Sequence, residues 1–86
     1  MIIVPIYADR VIYVNLAVEN QLHDFEELVL SNSLRFGMVN YCRKERLEEF
    51  CNSKETILII DEIQESSMVY NSIRALQGEL NCHVAV

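Results

Sequence analysis

Thr56-Ile57-Leu58-Ile59-Ile60-Asp61-Glu62-Ile63-Gln64-Glu65 is the stretch on which the fold turns. Four consecutive aliphatics with no polar alternation predict a strand covered on both faces, as inside a parallel sheet. The run stops abruptly at Asp61-Glu62. Open parallel sheets bind ligands beyond the carboxyl ends of their strands, so the two acids stand where chemistry would be done. An aspartate there can hold Mg²⁺, directly or through its waters, because that hard cation prefers oxygen ligands. The neighbouring glutamate can orient or deprotonate an attacking water. Asp61 is thus the candidate metal residue and Glu62 the candidate catalytic residue. Taken alone, the pattern also describes a plain strand end with two solvated acids.

Working outward, Val11-Ile12-Tyr13-Val14-Asn15-Leu16 is β-branched and aromatic and reads as a largely buried strand. Asn20 can cap a helix through Leu30, with Leu22, Phe25, Leu28 and Val29 on one face. Ser31-Asn32-Ser33 has turn chemistry, and Gly37 reads as a further break. A second helix is expected over residues 39–50. Its inner stripe would be Val39, Cys42, Leu47 and Phe50, and its solvated outer face the mixed-charge run from Arg43 to Glu49. Residues 52–55 form a loop. After the acids, Ser66 or Ser67 can cap a third helix carrying Val69, Ile73, Leu76 and Leu80, with Gly78 near its end. His83-Val84-Ala85-Val86 is another apolar strand. Strands near 11–16, 57–60 and 83–86, separated by helices, predict an α/β fold with a small, mainly parallel sheet and right-handed crossovers. Residues 1–9 fit this pattern less well. Pro5 interrupts an extended apolar run, and Ala8-Asp9-Arg10 is too short for a parallel crossover. They are read as an N-terminal extension.

Composition narrows the function classes. The chain has 86 residues, 51% of them hydrophobic, with only two Gly and one Pro. That is a single folding domain with a modest core, not a disordered chain. Seven basic against thirteen acidic residues give a net charge of −6, which argues against a general grip on nucleic acid. Cys42, Cys51 and Cys82 form no C-x-x-C pair, and His23 and His83 have no finger-like spacing, so the thiols read as ordinary, partly buried residues. An odd cysteine number without a signal-like start points to a reducing cytoplasm. Residues 1–8 have too short an apolar run, and no basic flank, for a signal peptide or a membrane span.

The string from Ile57 through Gln64 and Glu65, with the helix ending Ala75-Leu76-Gln77 and the strand His83-Val84-Ala85-Val86, resembles the Walker B region of prokaryotic AAA-type P-loop ATPases. More narrowly it is similar to a subgroup whose acidic motif reads DEIQ. The strand at 11–16 and the acidic segment Ala17-Val18-Glu19-Asn20 match that subgroup too, so the resemblance covers residues 10–86. It implies a partial P-loop NTPase core, three-layered α/β/α, with sheet order 5-1-4-3-2. The three strands here would be the second, third and fourth, which are mutual neighbours. It also implies Asp61 as the magnesium-associated aspartate and Glu62 as the catalytic glutamate, with Gln64 part of the signature.

The phosphate-binding loop G-x-x-x-x-G-K-[ST] is missing: Gly37 and Gly78 are the only glycines, and no Gly-Lys pair exists. No backbone nest or lysine is then present for the β- and γ-phosphates. The expectation is a truncated piece of an ATPase carrying the Walker B half of the site, inactive alone, with ATP and Mg²⁺ bound in the intact parent and none by this chain. A fragment of a DExx-box helicase and a small non-catalytic α/β interaction module are the alternatives. Self-association through an exposed sheet edge is the expected partner interaction.

Overall fold

The computed structural model describes residues 9–86. The N-terminal extension read over residues 1–9 therefore lies, apart from Asp9, outside the described residues. Strand β2 (Thr56–Asp61) lies between β1 (Arg10–Asn15) and β3 (His83–Ala85). Both pairings are parallel, with Val11 opposite Ile57, Tyr13 opposite Ile59, Asn15 opposite Asp61, and Leu58 opposite Val84. The inner position follows from the side chains: Ile57, Leu58, Ile59 and Ile60 are all buried. Removing each of them from water contributes about 1.5–3 kcal/mol. The α/β class and the three strands agree with the sequence reading, with β1 one residue earlier than the expected 11–16, β2 longer by one residue at each end and β3 ending at Ala85.

Alternation sorts the sheet residues into two faces. Ile12, Val14 and Leu16 share a face with Leu58 and Ile60, and all five enter one core with Phe25, Leu28, Met38, Tyr41, Val69 and Leu76. That core takes residues from all four α-helices: α1 (Glu19–Val29), α2 (Leu34–Tyr41), α3 (Ser67–Asn71) and α4 (Ile73–Glu79). The opposite face carries Val11 and Tyr13, which are 43% and 44% exposed, beside the buried Ile57 and Ile59. The described residues thus make two layers, not the three expected. The reason is topological. The strand order runs in one direction without reversal, and right-handed crossovers that advance in one direction all fall on one side of the sheet.

The helices depart from expectation in their boundaries. Helix α1 begins one residue before Asn20, with Val18 as its N-cap and no side-chain capping bond. Asn15 does the turning instead: its Oδ1 accepts from Ala17 N at 2.9 Å and its carbonyl from Val18 N at 3.1 Å. Helix α2 starts five residues earlier than predicted, because Ser33 Oγ accepts the Phe36 N–H at 3.3 Å and caps it. Gly37 is therefore inside a helix rather than at a break. Its lack of a side chain serves packing, since a Cβ there would sit 2.9 Å from Leu28 Cγ and from Ser31 Oγ.

Helix α2 runs into a π-helical turn, Cys42–Arg46, which ends at Leu47 with a left-handed φ of 55°. The wider turn shifts the register of the following residues. Leu47 consequently faces solvent, 88% exposed, and does not join the inner stripe assigned to it, whereas Cys42 does. The charged run is solvated as expected and makes local bonds: Arg43 grips Glu49 through two contacts, and Lys44 reaches Asp24 at 3.0 Å. Arg46 donates to the Val11 carbonyl on β1 at 3.2 Å. The third predicted helix divides in two at Ser72, whose hydroxyl bonds back to the Met68 carbonyl at 2.9 Å. No helix among the described residues is long and apolar enough to cross a membrane.

Two substitutions test this packing. Gly37→Ala gains helix propensity of about 1 kcal/mol. It also forces a methyl against Leu28 and against Ser31, whose hydroxyl is held by the Leu28 and Ser33 carbonyls. Overpacking costs about 1–3 kcal/mol, so a net loss of stability is expected, read as a lowered urea midpoint at unchanged slope. Ser66 is 3% exposed; its Oγ accepts from Val69 N at 3.1 Å and donates to Glu26 Oε2 at 2.7 Å. Ser66→Ala is expected to cost about 1–2 kcal/mol in the same measurement.

Candidate functional site

The carboxyl ends of β1 and β2 lie side by side, and their backbones are fastened together. Leu16 N donates to the Asp61 carbonyl at 3.1 Å, and Asn15 N donates to Gln21 Oε1 of α1 at 2.8 Å. From this platform Asp61 projects on the same face as Ile57, Ile59 and Tyr13. The face is the one without described helices.

Both oxygens of Asp61 are engaged. Oδ2 accepts from the Tyr13 hydroxyl, and Oδ1 accepts from the backbone N–H of Glu62 at 2.8 Å. These donors favour the ionised carboxyl, so the Asp61 pKa is held below the ordinary carboxylate value, chiefly by Tyr13 and then by the Glu62 amide. The same bond to a carboxylate raises the Tyr13 pKa, with smaller contributions from desolvation and from the charges of Asp61 and Glu62.

Glu62 adopts φ 57° and ψ 45°, a left-handed conformation that is uncommon for a residue with a side chain. It turns the chain sharply out of β2 into the short 3₁₀ turn Ile63–Glu65, closed by Glu65 N on the Glu62 carbonyl at 3.0 Å. Gln64, in that turn, donates its amide to Glu62 Oε2. The two predicted acids are therefore adjacent at the strand end, each with a neutral side-chain donor from a different element.

Tyr13 is the participant that reading the sequence left as an ordinary strand residue. Its signal was present in the parallel register, which sets Asn15 opposite Asp61 and leaves Tyr13 two residues back on the same face. Glu19 and Asn20, from the acidic segment of the resemblance, lie exposed in the first turn of α1.

Other chemistry-bearing groups lie elsewhere. A groove of about 180 Å³ between α1 and α2 is lined by Asp24, Leu28, Gly37, Tyr41 and Lys44 among others, not by Asp61. His23, Asp24 and Glu27 approach closely enough to share an ion. However, Asp24 already accepts from Lys44 at 3.0 Å, and His23 is largely exposed. The three cysteines are free thiols, and burial pushes Cys42 and Cys82 up to about 11, which leaves them unreactive. At the strand end the donors are carboxylate and hydroxyl oxygens, a set that fits a hard cation such as Mg²⁺ or Ca²⁺ and not a thiophilic metal. Compared with protein-family descriptions, curated proteins and solved structures, the chain matches none.

Tyr13→Phe keeps the ring and removes the donor, so the Asp61 carboxyl is expected to titrate at higher pH than in the wild type, followed by carboxyl ¹³C shifts. A folded pKa below the unfolded one stabilises the fold above the unfolded value and is lost as pH falls through the folded value. The wild type is therefore expected to keep its acid stability to lower pH than Tyr13→Phe. Superimposable titrations would refute the role given to Tyr13.

Proposed function

We propose that these residues form the Walker B portion of an AAA-type ATP-binding protein, with Asp61 in the magnesium-associated position and Glu62 in the position that activates water. One observation carries the reading. The inner strand of a parallel sheet delivers two adjacent carboxylates at its carboxyl end, the second on a left-handed residue. Unusual backbone conformations of this kind concentrate at functional sites. The strand order adds support, since the three strands are contiguous and parallel, as the resemblance requires.

The division of labour follows from the bonds made. Asp61 presents an ionised carboxylate, the form that can meet a cation or one of its bound waters. Glu62 can accept a proton from, or orient, a water brought to Oε1 or Oε2, with Gln64 fixing its direction through Oε2. Bound ATP with Mg²⁺ would supply the phosphoryl group and the neutralising charge. Binding the phosphates needs a glycine-rich nest and a lysine, and no Gly-Lys pair occurs in the 86 residues. Nucleotide affinity and turnover are accordingly assigned to the intact parent.

Two measurements test this on the chain itself. Titrating Mn²⁺ as a paramagnetic stand-in is expected to broaden the amide signals of residues 61 and 62 first, and Asp61→Asn is expected to abolish that broadening. Broadening centred on His23, Asp24 and Glu27 would sink the reading. Incubation with ATP and Mg²⁺ is expected to give no turnover above background. Turnover that Glu62→Gln removes would instead show that the phosphate loop is dispensable.

A further inference from the structure

We infer that the apolar segment 1–8 closes the sheet face opposite the helices, lying along β2 over Ile57 and Ile59. A burial that the described residues do not account for carries the inference. Ile57 and Ile59 are only 1% and 4% exposed, yet neither belongs to the core cluster that takes Leu58 and Ile60. They point to the face on which no described helix packs. Their cross-strand neighbours there are Val11 and His83 for Ile57, and Tyr13 and Ala85 for Ile59. Such neighbours stand one strand spacing to the side of an inner-strand residue, and not over it.

Two features of the burial point to the occupant. It is complete within one chain, so the cover belongs to this chain and not to a second copy. It is also narrow. Val11 and Tyr13, on the adjoining strand, stay 43% and 44% exposed, whereas a helix, roughly 10–12 Å across with its side chains, would shade both strands. One extended segment along β2 fits that width.

Residues 1–8 have the chemistry, the starting point and the reach. They carry no charged side chain and include Ile2, Ile3, Val4 and Ile6, which gain by leaving water against an aliphatic strip. Asp9 N and Arg10 N both donate to the Glu55 carbonyl, at 2.9 and 3.1 Å. The segment therefore joins the sheet at its amino end, beside the start of β2. Eight extended residues span about 26 Å, and the six of β2 about 20 Å. Pro5 has no N–H for a ladder at a sheet edge, and a segment lying on a face does not need one. The cover withholds from other chains an aliphatic strip that would otherwise invite association. None of this depends on the cation chemistry read for Asp61.

The test is methyl NMR on the 86-residue chain. Nuclear Overhauser contacts are expected between the methyl groups of Ile2, Ile3, Val4 or Ile6 and those of Ile57 and Ile59. Their absence overturns the inference, and so does their appearance between labelled and unlabelled chains in a mixed sample, which would assign the cover to a second copy. A variant combining Ile3→Asp with Ile6→Asp is expected to lift the segment. A soluble paramagnetic agent should then broaden the Ile57 and Ile59 methyl signals as strongly as those of Val11, while Leu58 and Ile60 stay protected and report an intact helical core. Unchanged protection of Ile57 and Ile59 in that variant overturns the inference. Should the variant not fold, the contacts in the wild type decide alone.

Discussion

Burial of β2 on both faces is the constraint from which the rest of the structure follows. Ile57 and Ile59 point one way, Leu58 and Ile60 the other, and none can be left in water without losing a sizeable part of a small domain's stability. A strand with two apolar faces must have a neighbour along each edge to satisfy its backbone, and β1 and β3 provide them. Leu58 and Ile60 then need a helical layer, which the two crossovers bring to their side. The first polar residues after this run necessarily emerge at the sheet's carboxyl end. Asp61 and Glu62 stand together there because the chain cannot remain apolar beyond the sheet.

The helical layer is fitted to that surface by close contacts rather than by length. Phe25 of α1 and Tyr41 of α2 meet edge to face, with centroids 5.4 Å apart and planes at 85°. Gly37 lets the same two helices approach further along. Tyr41 and Tyr13 are both weaker acids than a free phenol, for different reasons: burial raises the Tyr41 pKa, and a carboxylate partner raises that of Tyr13. Such short helices owe their stability to this packing, since isolated helices of this length are marginal in water.

What was legible in the sequence was whatever depended on apolar runs. Residues 57–60 read as an inner strand, and the strands on either side were readable from β-branched residues, so sheet class and the place of the two acids followed. Helix boundaries were less legible because they depend on which of several polar residues captures a free N–H. Asn20 and Ser33 are both competent caps, yet Ser33 caps its helix while Asn15, at the end of a strand, makes the turn into the other. The inner stripe assigned to Leu47 failed because a π-helical turn is invisible to a periodicity of 3.6. The single-sided layering followed from strand order, a long-range property that no local pattern contains. Tyr13 was hidden for the same reason: its bond to Asp61 spans 48 positions and exists only once β1 and β2 are in register.

Ser66 has a consequence for the segment just before it. Its hydroxyl is bonded to both Val69 N and Glu26, and Asp61 is locked into the ladder with β1. Residues 62–65 are therefore a span of four suspended between two immobile posts. A span that short, already closed by a 3₁₀ turn, has few backbone states left to sample. Its conformational entropy is surrendered when the domain folds, not when a ligand arrives. Glu62 can change direction only by rotating its own side chain, so its carboxylate is carried on a preset backbone.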